Sequence, residues 1–237
     1  MVRTRLVGPH GELPHGAEKR RAVEDMFDRV APGYDRMNRI ISLGLDTRWR
    51  RRTISALDLA PQSRVLDLAC GTGDFSADLH AAGHRPIGVD LSAGMLAAAR
   101  GATPLARADA AVLPFRDGGF DAVVCGFALR NFVELGAVLG DCARVLRPGG
   151  VIGALDAAVP ERALLRAGNA VWFRGAVPML GRIFSRDPDA YRYLPASTAY
   201  LPGPEALVGM FRSAGFDSVA RTTMTGGSVQ LLVGTRR

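Results

Sequence analysis

Cysteine is scarce in this 237-residue chain, which contains only Cys70, Cys125 and Cys142. None of them forms a Cys-x-x-Cys pair, and an odd number of widely spaced cysteines argues against a disulfide framework. We therefore expect the protein to work in a reducing cytoplasm. Cys125, which ends a predicted strand, is expected to be a buried structural thiol.

Long apolar runs and metal-ligand patterns are also missing. No stretch approaches the roughly 20 apolar residues of a membrane span, and the basic start is not followed by the apolar segment of a signal peptide. No histidine stands at ligand spacing with carboxylates, so we expect no metal; the four are His10, His15, His80 and His84. These absences predict a cytoplasmic protein with at most peripheral contact at the inner face of the membrane.

Lysine is nearly absent, since Lys19 is the only one among 30 basic residues. The net charge of +7 suits an anionic partner and does not choose among lipid headgroups, nucleic acid and acidic substrates. A hydrophobic content of 48% is ordinary for a globular chain, and 237 residues suffice for one α/β domain.

Alternating strand and helix patterns predict a doubly wound α/β sheet that is mostly parallel. A final hairpin around Gly226-Gly227 makes the last strand antiparallel. Arg147-Pro148-Gly149-Gly150 is expected to cap a helix and turn into the fifth strand. The predicted strands are Val65–Ala69, Pro86–Val89, Leu105–Ala108, Phe120–Cys125, Val151–Leu155, Ser218–Thr223 and Val229–Gly234.

We expect one domain built from five segments. These are a flexible tail (1–17), N-terminal cap helices (18–62), a cofactor-binding core (63–159), a helical lid (160–200), and a closing helix with hairpin (201–237). A helix is predicted at Glu18–Val30 and another at Asp46–Leu57, with Asp46 or Thr47 as its cap. Residues 161–186 mix apolar side chains with arginines, as in an amphipathic insertion. It either covers an apolar ligand and touches anionic lipid, or packs its apolar side inward.

The loop Gly71-Thr72-Gly73 follows the first strand and opens a helix. Glycines there allow close approach to a ligand, and the helix N-terminus offers free N–H donors. The dinucleotide fingerprint needs a further glycine or alanine where Ser76 stands, which counts against NAD. Asp90 ends the second strand and suits both hydroxyls of a ribose. Asp109-Ala110 follows the third strand and suits an adenine edge.

These features resemble the core of class I methyltransferases, which have a Rossmann-like fold. The outer motifs resemble the ubiquinone/menaquinone C-methyltransferases (the UbiE/MenG family), and the resemblance runs from about Glu24 to the C-terminus. The motifs are Met26-Phe27-Asp28, Tyr34-Asp35, Asn38, Ser42-Leu43-Gly44, Trp49-Arg50, Leu113-Pro114-Phe115, Phe127-Ala128-Leu129-Arg130-Asn131 and Tyr191-Arg192-Tyr193-Leu194.

The resemblance implies S-adenosylmethionine as cofactor and C-methylation of a demethylated quinol, demethylmenaquinol to menaquinol. It implies a substrate with an isoprenoid tail. We expect no nucleic-acid partner, and the sequence leaves open whether the protein forms a homodimer. Arg130 and Asn131 are the implied catalytic residues. The implied cofactor-binding residues are Asp67, Gly71, Thr72, Gly73, Asp90, Leu91, Asp109, Ala110 and Gly126.

Departures from the family pattern keep an alternative open, a methyltransferase of another aromatic or polyketide-like molecule of specialised metabolism. Gly126 stands where the family has serine, Asp156-Ala157-Ala158 replaces Glu-Phe-Ser, and Ala196 replaces glutamate. The tail also lacks the family's histidine. A third hypothesis is a nucleic-acid-binding protein that uses the positive charge on a degenerate cofactor fold.

The chemistry requires that a phenol with a pKa of about 10 gives up its proton. Arg130 is expected to stabilise the phenolate, because a guanidinium stays protonated and cannot be a base. Asn131 is expected to orient the phenolate or a water molecule that takes the proton. Two structural alternatives stand beside these roles. Arg130 could cap a loop through a carboxylate, and Asp35 is either a proton acceptor or a helix cap.

Overall fold

The computed structural model describes residues 14–184 and 187–237, and its centre is a seven-stranded sheet of order β3-β2-β1-β4-β5-β7-β6. The first five strands are parallel, and β7 runs antiparallel between β5 and β6. This confirms the predicted doubly wound sheet with an antiparallel last strand. The strands are β1 Arg64–Leu68, β2 Arg85–Asp90, β3 Leu105–Arg107, β4 Phe120–Gly126, β5 Leu146–Ala157, β6 Phe216–Met224 and β7 Val229–Arg236.

The helices fall into four groups along the chain, which we call the cap, the crossovers, the lid and the closing helix. The cap is α1 Gly16–Val30, α2 Tyr34–Ile41 and α3 Asp46–Ala56, and the crossovers are α4 Asp74–Ala81, α5 Ala93–Ala98 and α6 Leu135–Val145. The lid is α7 Ala163–Val171, α8 Val177–Phe184 and α9 Pro188–Ser197, with a π-helical turn Trp172–Ala176 between α7 and α8, and α10 Pro204–Ser213 closes the domain.

Three local predictions are corrected. Helix α1 begins at Gly16 and not at the predicted Glu18, and residues 1–13 of the predicted tail lie outside the described part of the chain. Leu45, with no side-chain bond, occupies the N-cap of α3, so neither Asp46 nor Thr47 caps it. Phe120 pairs with Leu146 whereas Ala122 pairs with Val151, so Arg147–Gly150 forms a bulge in β5 instead of a helix cap.

The sheet is buried on both faces because consecutive strand residues point to opposite sides. Val65 packs with Leu79 and Val124 against one face, whereas the next residue, Leu66, packs with Leu139 on the other. A third apolar cluster joins the cap to the lid and contains Met26, Met37, Val177, Tyr191 and Tyr193. Cap and lid therefore share one core.

The chain order places a ligand-binding crevice at one edge of the sheet. From β1 the chain winds outward through β2 and β3, and it then returns to the other side of β1 as β4. Ligands bind at such a switch point, beyond the carboxyl ends of the strands. The loops that follow β1, β2, β3 and β4, which contain the predicted cofactor residues, all lie at this edge.

Residues 161–184 pack inward in part, and their contact with an apolar ligand or with lipid stays a prediction. Val177 is buried, and Trp172 and Phe173 pack against the cap–lid core. Helix α7 contains no buried residue, and Leu164 is 85% exposed and Val171 73% exposed. The segment is an inward-packed cover that also carries an exposed apolar strip.

Candidate functional site

A cavity of about 360 Å³, here called the strand-end cavity, lies beyond the ends of β1, β2 and β4. Helix α1 covers it with Ala17, Arg20 and Val23. Six of the nine predicted cofactor residues line it, namely Gly71, Asp90, Leu91, Asp109, Ala110 and Gly126. Asn131 also lines it, whereas Asp67, Thr72 and Gly73 are not among its lining residues.

Asp90 organises the floor of the strand-end cavity. Its carboxylate accepts hydrogen bonds from the backbone N–H of Gly71 and of Ser92, both at 2.8 Å. Burial raises the pKa of the Asp90 carboxyl. The backbone hydrogen bonds work in the opposite direction, but the effect of burial is larger. Ser92 caps α5 by accepting the N–H of Met95, as its position after Asp90 suggests. Asp90 thus ties together the loops after β1 and β2.

Asp109 lies at the far wall, under the cap. Its Oδ1 accepts the N–H of Ala111 at 3.0 Å, and its Oδ2 pairs with Arg20 at 2.7 Å. Both side chains are partly exposed, so solvent screens this pair. Helix α1 adds a pair between Glu24 and Arg107 at 2.8 Å. The cap is therefore bound by charge to the loops that surround the cavity.

The three predicted residues outside the lining shape the glycine loop from behind. Asp67 is buried and accepts the hydroxyl of Ser76 at 2.7 Å, and burial raises the pKa of its carboxyl to about 7. The Thr72 hydroxyl donates to Asp35. Gly73 has φ of +90° at the start of α4, a conformation that favours glycine.

A second cavity of about 400 Å³, here called the cap–lid cavity, lies between the cap helices, the lid and the ends of β5 and β7. Most of its surface is apolar, with side chains such as Met26, Ile41 and Phe173. Four residues line both cavities: Phe27, Tyr34, Phe127 and Asn131. The two cavities adjoin at these four residues, which we call the junction.

Arg130 lines the cap–lid cavity and is buried in an ion pair. Its Nη1 donates to Asp156 of β5, and its Nε donates to Ser197 of α9 at 3.1 Å. The backbone N–H of Arg130 also donates to Asp156, at 3.2 Å. Arg130 therefore does hold its loop through a carboxylate, as the structural alternative from the sequence predicts. The same contacts fix the guanidinium in the cavity wall.

Asn131 is the amide side chain that lines both cavities. Its Oδ1 accepts the hydroxyl of Tyr193, at 3.2 Å. Burial raises the pKa of Tyr193 and of Tyr34, so both phenols stay protonated at neutral pH and act as hydrogen-bond donors. The junction therefore presents neutral polar groups at the boundary between the two cavities.

The sequence did not single out one polar cluster of the cap–lid cavity. Ser42, Asp46 and Arg50 are spaced four residues apart, and all three line the cavity. The Ser42 hydroxyl donates to Asp46 at 2.7 Å, and Arg50 donates to Asp46 at 2.8 Å. The i, i+4, i+8 spacing is the sequence signal for this cluster, whereas the position of Asp46 at the start of the predicted helix suggests only a cap.

Two further residues named in the sequence analysis, Asp35 and Cys125, lie outside both cavities. The Asp35 carboxylate accepts a hydrogen bond from the hydroxyl of Thr72. Cys125 is buried in the sheet, and burial raises the pKa of its thiol well above the usual value. A thiol in such surroundings is unreactive.

Within residues 14–184 and 187–237, no group of three or more metal-ligating side chains is found. No helix in the same ranges has the length and apolarity to cross a bilayer.

Solved structures share this fold at low sequence identity. A SAM-dependent methyltransferase of Thermotoga maritima matches with a TM-score of 0.64 at 18% identity, over 90% of this chain and 99% of that one. The cyclase SpnF matches with a TM-score of 0.67 at 16% identity, over 94% and 98%. Because an enzyme named as a cyclase has the same fold, these matches establish architecture alone.

Sequence relatives are much more similar. The demethylmenaquinone methyltransferase of Roseiflexus sp. is 39% identical over 95% of this chain and 98% of its own length. The enzyme of the same name from Thermus thermophilus is 42% identical over 89% of this chain and its own entire length. The model of the ubiE/COQ5 methyltransferase family matches residues 15–236. The chain therefore belongs to the ubiE/COQ5 methyltransferase family.

Proposed function

We propose that the protein C-methylates the ring of a demethylated naphthoquinol, converting demethylmenaquinol to menaquinol with S-adenosylmethionine as donor, in respiratory quinone biosynthesis. The observation that carries the proposal is the pair of adjoining cavities, one at the strand ends with Asp90 and Asp109 in its lining and one under the lid with Arg130 in its lining. The relatives that cover nearly the whole chain are named for this reaction.

The strand-end cavity fits the donor in the chemistry of its groups. Asp90 offers carboxylate oxygens to ribose hydroxyls, and Asp109 with the N–H of Ala110 suits an adenine edge. Gly71 and Gly126 line the cavity, and a Cβ at Gly126 would lie 3.0 Å from the Phe75 ring, so this position has little room for a side chain. S-adenosylmethionine supplies a methyl group bound to a positively charged sulfur. Asp67, Thr72 and Gly73 support this site by holding the loop.

The acceptor ring is proposed to lie at the junction end of the cap–lid cavity. Arg130, held by Asp156, favours the negative charge that develops on the ring oxygen. Asn131, whose Oδ1 accepts the Tyr193 hydroxyl, positions the ring. Phe27 and Phe127 exclude water from the path between the cavities.

The isoprenoid tail is proposed to leave through the lid, and the lid to lie on the inner face of the membrane. Leu164, Val171 and Met179 are exposed apolar side chains on α7 and α8, and Arg162 and Arg182 are exposed beside them. Apolar side chains flanked by arginines suit an anionic lipid surface. A homodimer stays a prediction.

The membrane contact is tested by co-sedimentation with phosphatidylglycerol vesicles at low salt, with phosphatidylcholine vesicles as control. We expect binding to the anionic vesicles that is released as salt rises. The double variant Leu164→Asp/Val171→Asp alters two exposed side chains and should lose binding while keeping its thermal stability. Absence of binding at low salt would leave the lid as an inward-packed cover only.

The activity is tested by incubating the protein with methyl-labelled donor and a panel of chemically reduced demethylquinones, with product masses as the readout. We expect one added methyl group on a naphthoquinol ring carbon. Methylation of a different class of aromatic molecule, with none of the quinols modified, would instead support the alternative from specialised metabolism.

A further inference from the structure

The proposed reaction must release a proton from the acceptor ring, and the cap–lid cavity contains few groups able to take it. Its described lining includes arginines, tyrosines, amides and hydroxyls, and Asp46 is the single carboxylate among them. Arginines remain protonated, and the buried phenols of Tyr34 and Tyr193 have raised pKa values. No histidine is part of that described lining.

Asp46 has the surroundings of a poised acceptor. Its residue is 5% exposed, and one oxygen accepts from Ser42 while the other accepts from Arg50. Burial works to raise the pKa of Asp46, but the hydrogen bonds from Ser42 and Arg50 and the charge of Arg39 on α2 hold it below its usual value. The carboxylate is thus ionised across the working pH range.

The other charges that face this group come from α4. Arg50 donates to Asp78 at 2.6 Å and lies 3.4 Å from Asp74. The guanidinium of Arg50 is therefore shared among three carboxylates, and only Asp46 lines the cavity. This sharing gives a matched comparison, because Asp78 has the same partner but is not among the residues that line the cavity.

We infer that Asp46 is the proton acceptor of the reaction, directly or through the hydroxyl of Ser42, for a hydroxyl of the bound quinol. The inference rests on the proposed quinol methylation. As the ring carbon forms its bond to the methyl group, the methyl–sulfur bond breaks and its electron pair stays on sulfur. The ring oxygen becomes a carbonyl, and its proton passes to Asp46.

The aromatic ring is then restored. Asp46 returns its proton to the ring oxygen, and the ring carbon loses its own C–H proton to water, so one proton is released for each methyl group transferred. A weakly basic carboxylate suffices, because the O–H becomes strongly acidic as the ring gives its electron pair to the methyl group.

The kinetic test compares Asp46→Asn with Asp78→Asn, using a reduced demethylnaphthoquinol and saturating donor. Asp46→Asn should lower kcat by about 10²- to 10⁴-fold, the usual scale of general base catalysis, and should recover at high pH where the quinol ionises unaided. Asp78→Asn should retain most of the rate. Asp46→His should restore part of it, with kcat rising through a midpoint near about 6.5, the imidazole pKa.

A second measurement needs no turnover. Calorimetry with 1,4-dihydroxynaphthalene, kept reduced, should show binding weakened about fivefold in Asp46→Asn, the difference between a charged and a neutral hydrogen-bond acceptor. Binding to Asp78→Asn should match the wild type. Equal losses of rate and affinity in the two variants would overturn the inference and leave only a structural role. A wild-type protein that binds this ring but methylates no quinol would overturn the proposed function, and the inference with it.

Discussion

The two cavities are built in different ways from one chain. The strand-end cavity is formed mainly by loops that follow the parallel strands. Its Asp90 carboxylate accepts backbone N–H groups from two of these loops, at Gly71 and at Ser92. The cap–lid cavity is assembled from distant segments. Arg130 meets Asp156 and Ser197, which lie 26 and 67 residues further along the chain.

The difference separates a general site from a specific one. Loops at the strand ends can present the same groups to a nucleoside whatever the acceptor is, because the fold itself fixes their positions. The cap–lid cavity depends on how the cap and lid pack together. Under the proposed function, the choice of acceptor can therefore change there without disturbing the strand-end cavity. Substitutions in the two cavities should therefore affect different measured quantities.

Apart from the substitution of Asp46, the largest effect is expected from Arg130→Ala, which removes the guanidinium from the wall of the cap–lid cavity. The value of kcat should fall about 10²- to 10³-fold, the scale of losing one preorganised electrostatic donor, while the affinity for S-adenosylmethionine stays nearly unchanged. The rate of the variant should climb at high pH, where the quinol ionises unaided. Arg130→Lys should recover only part of the rate, because an ammonium lacks the planar fork.

The structure adds a control for this variant. Removal of Arg130 leaves Asp156 buried and unpaired, which costs about 3–5 kcal/mol of stability. The double variant Arg130→Ala/Asp156→Ala should regain much of that stability in thermal unfolding while its kcat stays low. A double variant that recovers both stability and rate would show that Arg130 only supports the fold.

An intermediate effect is expected from Asp90→Ala, which alters the strand-end cavity alone. Affinity for S-adenosylmethionine, measured by calorimetry, should fall by roughly 1.5–3 kcal/mol, since hydrogen bonds to a charged group are lost. Binding of the reduced naphthoquinol should be unaffected. Asp121→Ala is the matched control, because Asp121 accepts a backbone N–H from Arg64 outside both cavities. Equal donor affinity in wild type and Asp90→Ala would remove Asp90 from the site.

The smallest effect on binding is expected from Asp67→Asn, because Asp67 lies behind the glycine loop. Its folded pKa of about 7 is above the unfolded value of 3.8, so the folded protein holds a proton that the unfolded chain releases between these pH values. Its contribution to stability is complete below pH 3.8 and is lost as the pH rises through 7. Denaturant unfolding across pH 4–8 should therefore show a shallower decline in the variant. An identical slope in both proteins would contradict this assignment.

Six residues that line the strand-end cavity could be predicted from the sequence, because their signals are local. A strand followed by Gly71-Thr72-Gly73, and acidic residues at later strand ends, define their own positions once the sheet forms. The acceptor side was predicted only where a family motif supplied it, as at Arg130 and Asn131. Asp46 was misinterpreted as a cap, since no local pattern shows which face of α3 meets a lid that lies more than 100 residues away.

The division into two adjoining cavities is tested most directly by a ternary binding measurement. Reduced 1,4-dihydroxynaphthalene is titrated into protein saturated with S-adenosylhomocysteine, with the heat of binding as the readout. The structure predicts that the ring binds with its affinity retained, because the two ligands share only the junction of Phe27, Tyr34, Phe127 and Asn131. Complete loss of ring binding in the presence of S-adenosylhomocysteine would contradict it, since both molecules would then occupy one site.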